Sequence, residues 1–142
     1  MLFLVVLVLS VGVILFFVAV RPSPERRHAD ETVIPGYEQI YERRVDENGI
    51  ETVYAGPRDE HVTERISAPG LDIYWIREVE GPPRYNWVAH GEFDGDDCRV
   101  FVKRIDTDSE AGRPYLDDVS ELGKEGPVDV ISLIYVCGKK DT

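Results

Sequence analysis

The sequence predicts an N-terminal transmembrane helix followed by a small mainly-β or α+β domain, in which an antiparallel sheet or small open barrel carries one short helix. The first observation is an uncharged apolar run over residues 1–20. The second is a series of short β-favouring runs after residue 37, separated by turns rich in Gly, Pro, Asn and Asp. The third is the length of 142 residues, which fits one folded domain in addition to an anchor.

The apolar run over residues 1–20 is interrupted only by Ser10 and Gly12. A helix of about 20 residues rises about 1.5 Å per residue and spans about 30 Å, the thickness of the hydrocarbon core of a bilayer. A cleaved signal peptide is the alternative, but it has a basic start, a shorter apolar stretch and a small-x-small cleavage site. No basic residue precedes this run, and Phe17 stands two positions before Ala19. The sequence therefore predicts an uncleaved anchor, with the lipid bilayer as a partner.

Three arginines follow the apolar run and predict its orientation. Arg21, Arg26 and Arg27 are opposed only by Glu25, while the α-amino group is the charge on the other side of the run. Under the positive-inside rule, the C-terminal domain of a single-pass membrane protein with these flanks is predicted to face the cytoplasm. The same arginines suit contact with anionic lipid headgroups.

A proline-containing stretch separates the anchor from the domain. Pro22 and Pro24 lack backbone donors and favour extended backbone in the residues before them. Residues 21–36 are therefore predicted to be a Pro/Arg-rich linker. The β-rich domain is predicted to occupy residues 37–138, and residues 139–142 are predicted to form a tail.

The domain is predicted to begin with a β-hairpin. Runs at 37–45 and 50–55 favour strands, and Asn48-Gly49 lies between them. Asn and Gly tolerate the positive φ of tight hairpin turns, so this dipeptide is a strong hairpin signal.

The run at 71–79 is predicted to be the central strand, because its apolar residues alternate onto one face. Tyr74 and Ile76 point to the other face, where they are candidate contacts for a partner. A short strand is predicted before this run, over 62–66.

The second half of the domain is predicted to contain three strands and the helix. Strands are predicted over 85–90 and 98–105, and the helical spacing of Leu and Val predicts the short helix over 114–124. The nearly continuous apolar run at 128–137 predicts a buried strand. The predicted core consists of large apolar side chains from these elements: Tyr74, Trp75, Trp87, Phe101, Ile131, Leu133 and Ile134.

Two cysteines, Cys98 and Cys137, fall at the ends of predicted strands. In the cytoplasm they are expected to be reduced and buried, where a free Cys behaves as a small hydrophobe. If the domain lies outside, the two thiols are expected to pair as a disulfide. The predicted cytoplasmic location favours the reduced pair, and the disulfide is the alternative.

The sequence holds one weak candidate for a site containing histidine. His90 precedes an acidic loop, and with Asp94, Asp96 and Cys98 it forms a candidate metal site. A solvated turn between two strands is favoured instead, because such loops normally carry Gly and Asp. No two histidines have the spacing of a zinc site.

A second weak candidate resembles a calcium-binding loop. Asp106, Asp108 and Glu110 occupy alternate positions, as the oxygen ligands of an EF-hand do. Ala111 stands where the loop requires a glycine, and Asp117 stands where it requires a bidentate Glu. The pattern therefore indicates an ordinary acidic loop, and no metal or cofactor is predicted.

The chain has 27 Asp and Glu residues against 16 Lys and Arg residues, which gives a net charge of −11. This balance argues against a nucleic-acid partner, because nucleic-acid binding requires a basic surface. The acidity is spread along the chain, and lysine is rare. Such a composition is similar to that of proteins from salt-adapted archaea. The alternative is an acidic surface that receives a basic protein.

These observations predict a membrane-anchored acidic domain that acts as a binding, accessory or assembly module for another protein, without catalysis. No nucleophile elbow, P-loop, dinucleotide fingerprint or zinc-protease motif occurs in the sequence. The first alternative is an envelope-facing domain that senses a ligand or metal and carries a Cys98–Cys137 disulfide. The second is a hydrolase whose carboxylates the sequence does not identify.

Overall fold

In a computed structural model, the chain is described at residues 21–76, 86–105, 115 and 126–138. Six strands and two helices lie in these ranges. The helices are α1 (Pro24–Glu31) and α2 (Val62–Arg65), and the strands are β1 (Glu38–Asp46), β2 (Gly49–Pro57), β3 (Leu71–Ile76), β4 (Asn86–Phe93), β5 (Cys98–Ile105) and β6 (Val128–Cys137).

The six strands form one antiparallel sheet in the order β1-β2-β6-β5-β4-β3. Strands β1 and β2 form a hairpin, strands β3 to β6 follow one another as a meander, and β6 closes the order by pairing with β2. The sheet is open, with β1 and β3 at its two edges. The predicted small mainly-β domain built on an antiparallel sheet is therefore confirmed.

The hairpin between β1 and β2 is confirmed, but its turn differs from the predicted one. Asp46 pairs with Gly49, so that Glu47 and Asn48 form the turn. In the described residues positive φ occurs only at glycines, and Gly49 is not among them. The Asp46 carboxylate instead accepts a hydrogen bond from the Asn48 backbone N–H at 2.8 Å, which closes the turn.

The main core lies on one face of the sheet. Ile131, Leu133 and Tyr135 alternate along β6 onto this face and are fully buried. Ala29 of α1 and Val62 of α2 belong to the same cluster, so both helices cover this face. Alternation places a second, smaller cluster on the opposite face. It contains Val53, Ala55, Ile105 and Val130.

Parts of the predicted core are confirmed and parts are wrong. Ile131 and Leu133 are fully buried, as predicted. Tyr74 is 55% exposed, because its strand lies at the edge of the sheet. Phe101 and Ile134 are half-buried. The backbone of two further predicted core residues is described, but their side chains are not: Trp75 and Trp87.

The segment predicted as a linker, residues 21–36, is part of the folded domain. Pro24 occupies the first turn of α1, where a missing backbone N–H costs nothing. His28 and Ala29 of this helix are buried against the sheet, and Ile34 after it is 2% exposed. The prediction that the domain begins near Tyr37 is therefore wrong, because tertiary packing gives this short polar helix a buried side.

Two strand predictions need correction. The short helix α2 (Val62–Arg65) lies where a strand was predicted over 62–66. The strand predicted as central, 71–79, is described as β3 and lies at one edge, while β6 and β5 lie in the middle. Alternation of apolar residues shows that one face of a strand is covered, but it does not give the position of that strand in the sheet.

In the ranges that the structure describes, no helix is both long and apolar enough to cross a bilayer. The apolar run over residues 1–20 lies outside those ranges, and the membrane anchor stays a prediction. The helix predicted over 114–124 lies outside them except for Tyr115, and so does the tail at 139–142.

Candidate functional site

The candidate site lies at the end of the sheet where β6 ends between two turns. The Cys137 backbone N–H donates to the Asn48 carbonyl oxygen at 3.0 Å, which ties β6 to the β1–β2 turn. The Gly138 backbone N–H donates to the Asp97 carbonyl oxygen at 3.1 Å, which ties β6 to the β4–β5 turn. Gly95 has a φ of 81° in the latter turn, a conformation that favours glycine. These bonds hold both turns beside α1.

Cys98 and Cys137 stand opposite each other in the β5–β6 pairing. Their sulfur atoms are joined as a disulfide, and both residues are buried. The sequence left this pairing as the alternative, because nothing in a separation of 39 residues indicates that the two strands are neighbours in this register. A cavity of about 280 Å³ reaches the disulfide and is lined by Pro24, Glu25, Asn48, Asp96, Asp97, Cys98, Cys137 and Gly138.

His28 of α1 reaches across to the β4–β5 turn. Its Nε2 lies 2.9 Å from Oδ2 of Asp96, and its ring stacks on Phe93 with the ring centroids 3.7 Å apart. The guanidinium of Arg27 contacts the same oxygen of Asp96 from the solvent side. The imidazole is buried, whereas Arg27 is half exposed. The helix thus brings one cation and one imidazole onto a single carboxylate.

Glu25 anchors the first turn of α1 from the other side. It is buried and lies 3.3 Å from the Arg44 guanidinium, which also donates to the Glu47 carbonyl oxygen at 2.9 Å. Burial by itself raises the pKa of Glu25, but hydrogen bonds from Ser23, from the backbone and from Arg44 outweigh burial and lower it. The carboxylate therefore stays ionised and holds α1 against the β1–β2 turn.

His28, Asp96 and Cys98 each place a potential metal ligand atom within 4.8 Å of the other two. The sequence predicted a candidate site with His90 in place of His28. In the structure, Nδ1 of His90 instead lies 3.1 Å from the Tyr74 hydroxyl, and its ring stacks on that of Phe101. The sequence missed His28 because it falls in the segment that was interpreted as a linker.

The remaining candidate residues are distributed as follows. Asp94 is exposed at the β4–β5 turn. Arg21 is exposed, and Arg26 contacts Glu42 of β1. The predicted calcium-like ligands lie outside the described residues: Asp106, Asp108 and Glu110.

A groove of about 960 Å³ lies beside the disulfide, at the same end of the sheet. Five carboxylates from β3, β4 and the β4–β5 turn line it: Asp72, Glu92, Asp94, Asp96 and Asp97. Arg99 is the basic residue among the lining residues, all of which the structure describes, and its Nε lies 3.6 Å from Oε1 of Glu92. We call this groove the acidic groove.

Three of the five carboxylates in the acidic groove carry charge that no cation in the described residues neutralises. Asp96 pairs with Arg27 and His28, and Glu92 pairs with Arg99. Asp72, Asp94 and Asp97 are exposed, and none of them has an ion-pair partner within the described ranges. The field in the groove is therefore negative.

Aromatic side chains form part of the wall of the acidic groove. Tyr74 and Phe101 line it, and the ring of His90 lies between them with centroid distances of 5.4 Å and 5.0 Å. Loss of hydration raises the pKa of Tyr74, and a hydrogen bond with the Glu92 carboxylate raises it further. The phenol is therefore neutral at physiological pH, and its ring face is available to a cation.

The chain matches no protein-family model, and no curated protein and no solved structure is significantly similar to it. The function is therefore inferred from the chemistry of the site. Unneutralised carboxylates beside an exposed aromatic ring, that of Tyr74, attract ammonium and guanidinium groups. The arrangement is suited to holding a cation.

Proposed function

We propose that this protein is a single-pass, membrane-anchored binding module that holds a basic segment of another protein in its acidic groove. The observation that carries the proposal is the set of three exposed aspartates, Asp72, Asp94 and Asp97, which have no ion-pair partner in the described residues. Because the exposed ring of Tyr74 lines the same groove, a Lys or Arg side chain finds both carboxylates and an aromatic ring there.

The lining of the groove favours binding over catalysis. Glycoside hydrolysis by two carboxylates requires them to be held on opposite sides of the bond that breaks, one of them with a raised pKa. Asp94 and Asp97 instead lie on one exposed turn, open to solvent. Exposed carboxylates steer a basic partner by long-range attraction and set the rate of association.

The disulfide favours the alternative orientation, in which the domain faces an oxidising compartment outside the cytoplasm. Disulfides persist in such compartments and are rare in the cytosol. The arginines that follow the apolar run favour a cytoplasmic domain under the positive-inside rule. However, Arg26 and Arg27 make ion pairs with Glu42 and Asp96 of the folded domain. Their presence thus has a structural explanation that does not depend on topology. We therefore propose an envelope-facing domain.

A peptide-binding experiment tests the proposed function. The full chain in mild detergent is titrated with a fluorescent Lys/Arg-rich peptide and with a Glu-rich peptide of equal length. We expect only the basic peptide to bind, with an affinity that falls as salt is added. The variant Asp72→Asn/Asp94→Asn/Asp97→Asn is expected to lose about tenfold or more in affinity, since each exposed pair contributes up to about 1 kcal/mol.

The matched control is Glu47→Gln/Glu60→Gln/Glu64→Gln, which removes the same amount of charge from exposed residues outside the groove. We expect this variant to bind the basic peptide nearly as well as the wild type. Equal losses in the two triple variants would show that net charge alone attracts the peptide, and the groove proposal would be wrong.

Topology is tested separately. An epitope is placed after Thr142, and protease is added to intact and then to permeabilised cells. Digestion in intact cells supports an envelope-facing domain, and protection until permeabilisation supports the cytoplasmic location. Carbonate extraction of the membrane fraction tests the anchor, because an integral protein is expected to stay in the pellet.

A further inference from the structure

The disulfide, His28 and Asp96 form a cluster that the acidic-groove proposal leaves unused. The ligand atoms of His28, Asp96 and Cys98 lie within 4.8 Å of one another, and the second sulfur, that of Cys137, is bonded to the first. Each side chain comes from a different fixed element: α1, the β4–β5 turn, the start of β5 and the end of β6. Three potential ligand atoms therefore lie close together, and the Cys137 sulfur lies beside that of Cys98.

While the disulfide is intact, its sulfur atoms are poor ligands, since thiolate is the form of cysteine that binds metals. A dithiol reductant changes this by thiol–disulfide exchange. The dithiol donates two electrons and two protons and becomes a disulfide itself, while the Cys98–Cys137 bond breaks and two thiols form. The cavity of about 280 Å³ that both cysteines line gives the reductant a route to the sulfurs.

We propose that reduction of the Cys98–Cys137 disulfide creates a binding site for a thiophilic divalent cation such as Zn²⁺, with His28, Asp96, Cys98 and Cys137 as its ligands. Two thiolates, one imidazole and one carboxylate match the ligand types and number of a tetrahedral zinc site. When the metal binds, the two thiols lose their protons to solvent, and His28 Nε2 exchanges its contact with Asp96 for the metal.

The electrostatics around the cluster suit a divalent cation. Glu25 and Asp97 line the same cavity, so the neighbourhood stays negative after the two thiolates form. Arg27 contacts Oδ2 of Asp96 from the solvent side and is half exposed. The site differs from the acidic groove in its use of His28 and both sulfurs.

Cobalt spectroscopy on the full chain in mild detergent tests this proposal. The chain is reduced with a phosphine, the excess is removed, and Co²⁺ is added. We expect one Co²⁺ per reduced chain, with a thiolate-to-metal charge-transfer band that Zn²⁺ removes by displacement. The oxidised chain is expected to show no such band, because it has no thiolates.

Variants then assign the ligands. His28→Asn and Asp96→Asn are each expected to weaken Co²⁺ binding by about tenfold or more, and Cys98→Ser/Cys137→Ser to abolish the band. The control is His61→Asn, which changes a histidine whose side chain is 76% exposed beside α2, and it should bind as the wild type does. Circular dichroism of each variant in its oxidised state confirms folding.

Three results would overturn the proposal: a reduced chain without the charge-transfer band, equal Co²⁺ affinity in wild type and His28→Asn, or a reduced chain that loses its sheet signal and does not regain it with Zn²⁺. Failure here is separable from failure of the acidic groove. The double variant Asp72→Asn/Asp94→Asn changes residues outside the cavity at the disulfide and is expected to bind Co²⁺ normally but the basic peptide more weakly. His28→Asn is expected to bind the basic peptide normally.

Discussion

Oε1 of Glu51 accepts a hydrogen bond from Oγ of Ser132 at 2.6 Å, and both residues are buried. The other carboxylate oxygen, Oε2, accepts a hydrogen bond from Nε of Arg43, also at 2.6 Å. Arg43 lies on β1, Glu51 on β2 and Ser132 on β6, which are adjacent in the sheet. One carboxylate thus joins three neighbouring strands on the face opposite the main core.

Replacing Glu51 is expected to destabilise the domain. Glu51→Gln keeps the shape of the side chain but removes its negative charge, so that the hydrogen bond from Arg43 no longer joins two charged groups. Loss of one buried, charge-assisted hydrogen bond costs about 1–3 kcal/mol. Thermal unfolding followed by circular dichroism measures the loss. Glu47→Gln, at the exposed β1–β2 turn, is the control and should leave the unfolding midpoint unchanged. Equal midpoints for the two variants would contradict the inferred role of Glu51.

At Gly56 of β2 there is no room for a side chain, so a substitution there is expected to destabilise the domain. A Cβ at this position would lie 2.6 Å from Cγ of Tyr37 and 2.9 Å from the Gly36 carbonyl oxygen. The Tyr37 ring must move to make room, and such overpacking costs about 1–3 kcal/mol. Gly56→Ala should therefore lower the unfolding midpoint, whereas Gly138→Ala should not, because nothing lies within 4 Å of a Cβ there. An unchanged unfolding midpoint in Gly56→Ala would show that the Tyr37 ring does not pack on the strand.

The raised pKa of the Tyr37 phenol predicts that the domain loses stability at alkaline pH. Burial raises its pKa to about 12, with the charges of Asp129 and Asp59 adding to the effect. A tyrosine in the unfolded chain ionises near pH 10. Because the folded pKa is the higher of the two, the neutral phenol contributes stability that is complete below about pH 10 and is lost as the pH rises towards about 12.

The test compares the free energy of unfolding of the wild type and of Tyr37→Phe between pH 8 and pH 12. The variant loses the hydrogen bond from the phenol to the Pro57 carbonyl oxygen, which is 2.8 Å long, and should be less stable at pH 8. We expect the difference between the two proteins to shrink above about pH 10. A difference that stays constant with pH would mean that Tyr37 titrates normally in the folded domain.

The disulfide is expected to be a major source of stability in metal-free solution. It closes a loop with a sequence separation of 39 residues. A cross-link of this span stabilises by about 3–4 kcal/mol, chiefly through the unfolded chain. Reduction with a phosphine should lower the unfolding midpoint of the wild type. It should not change the midpoint of Cys98→Ser/Cys137→Ser, which has no disulfide. A midpoint insensitive to reduction in the wild type would contradict this expectation.

The sequence predicted the features of the fold that depend on near neighbours. The hairpin at 46–49 and the buried strand at 128–137 are both present. They could be predicted because turn residues and runs of apolar side chains act within a few positions of the chain. Residues 62–66 were misread because a run this short is compatible with either a strand or a turn of helix.

The candidate site could be predicted only in part. Asp96 and Cys98 were grouped because they lie two positions apart, and the structure places both close to His28. His28 was missed because it is separated by 68 residues from Asp96. No local pattern in a polar stretch after Pro24 indicates that the resulting helix packs on a sheet.

The sequence by itself determined a small mainly-β domain, its first hairpin and its buried last strand, because side-chain alternation and turn chemistry are local properties. Only the tertiary structure decided that β3 lies at an edge, that α1 belongs to the domain, and that Cys98 meets Cys137 in the β5–β6 register. These features depend on which strands pair across long stretches of chain. That choice is made by the packing of the whole core, which no single segment encodes.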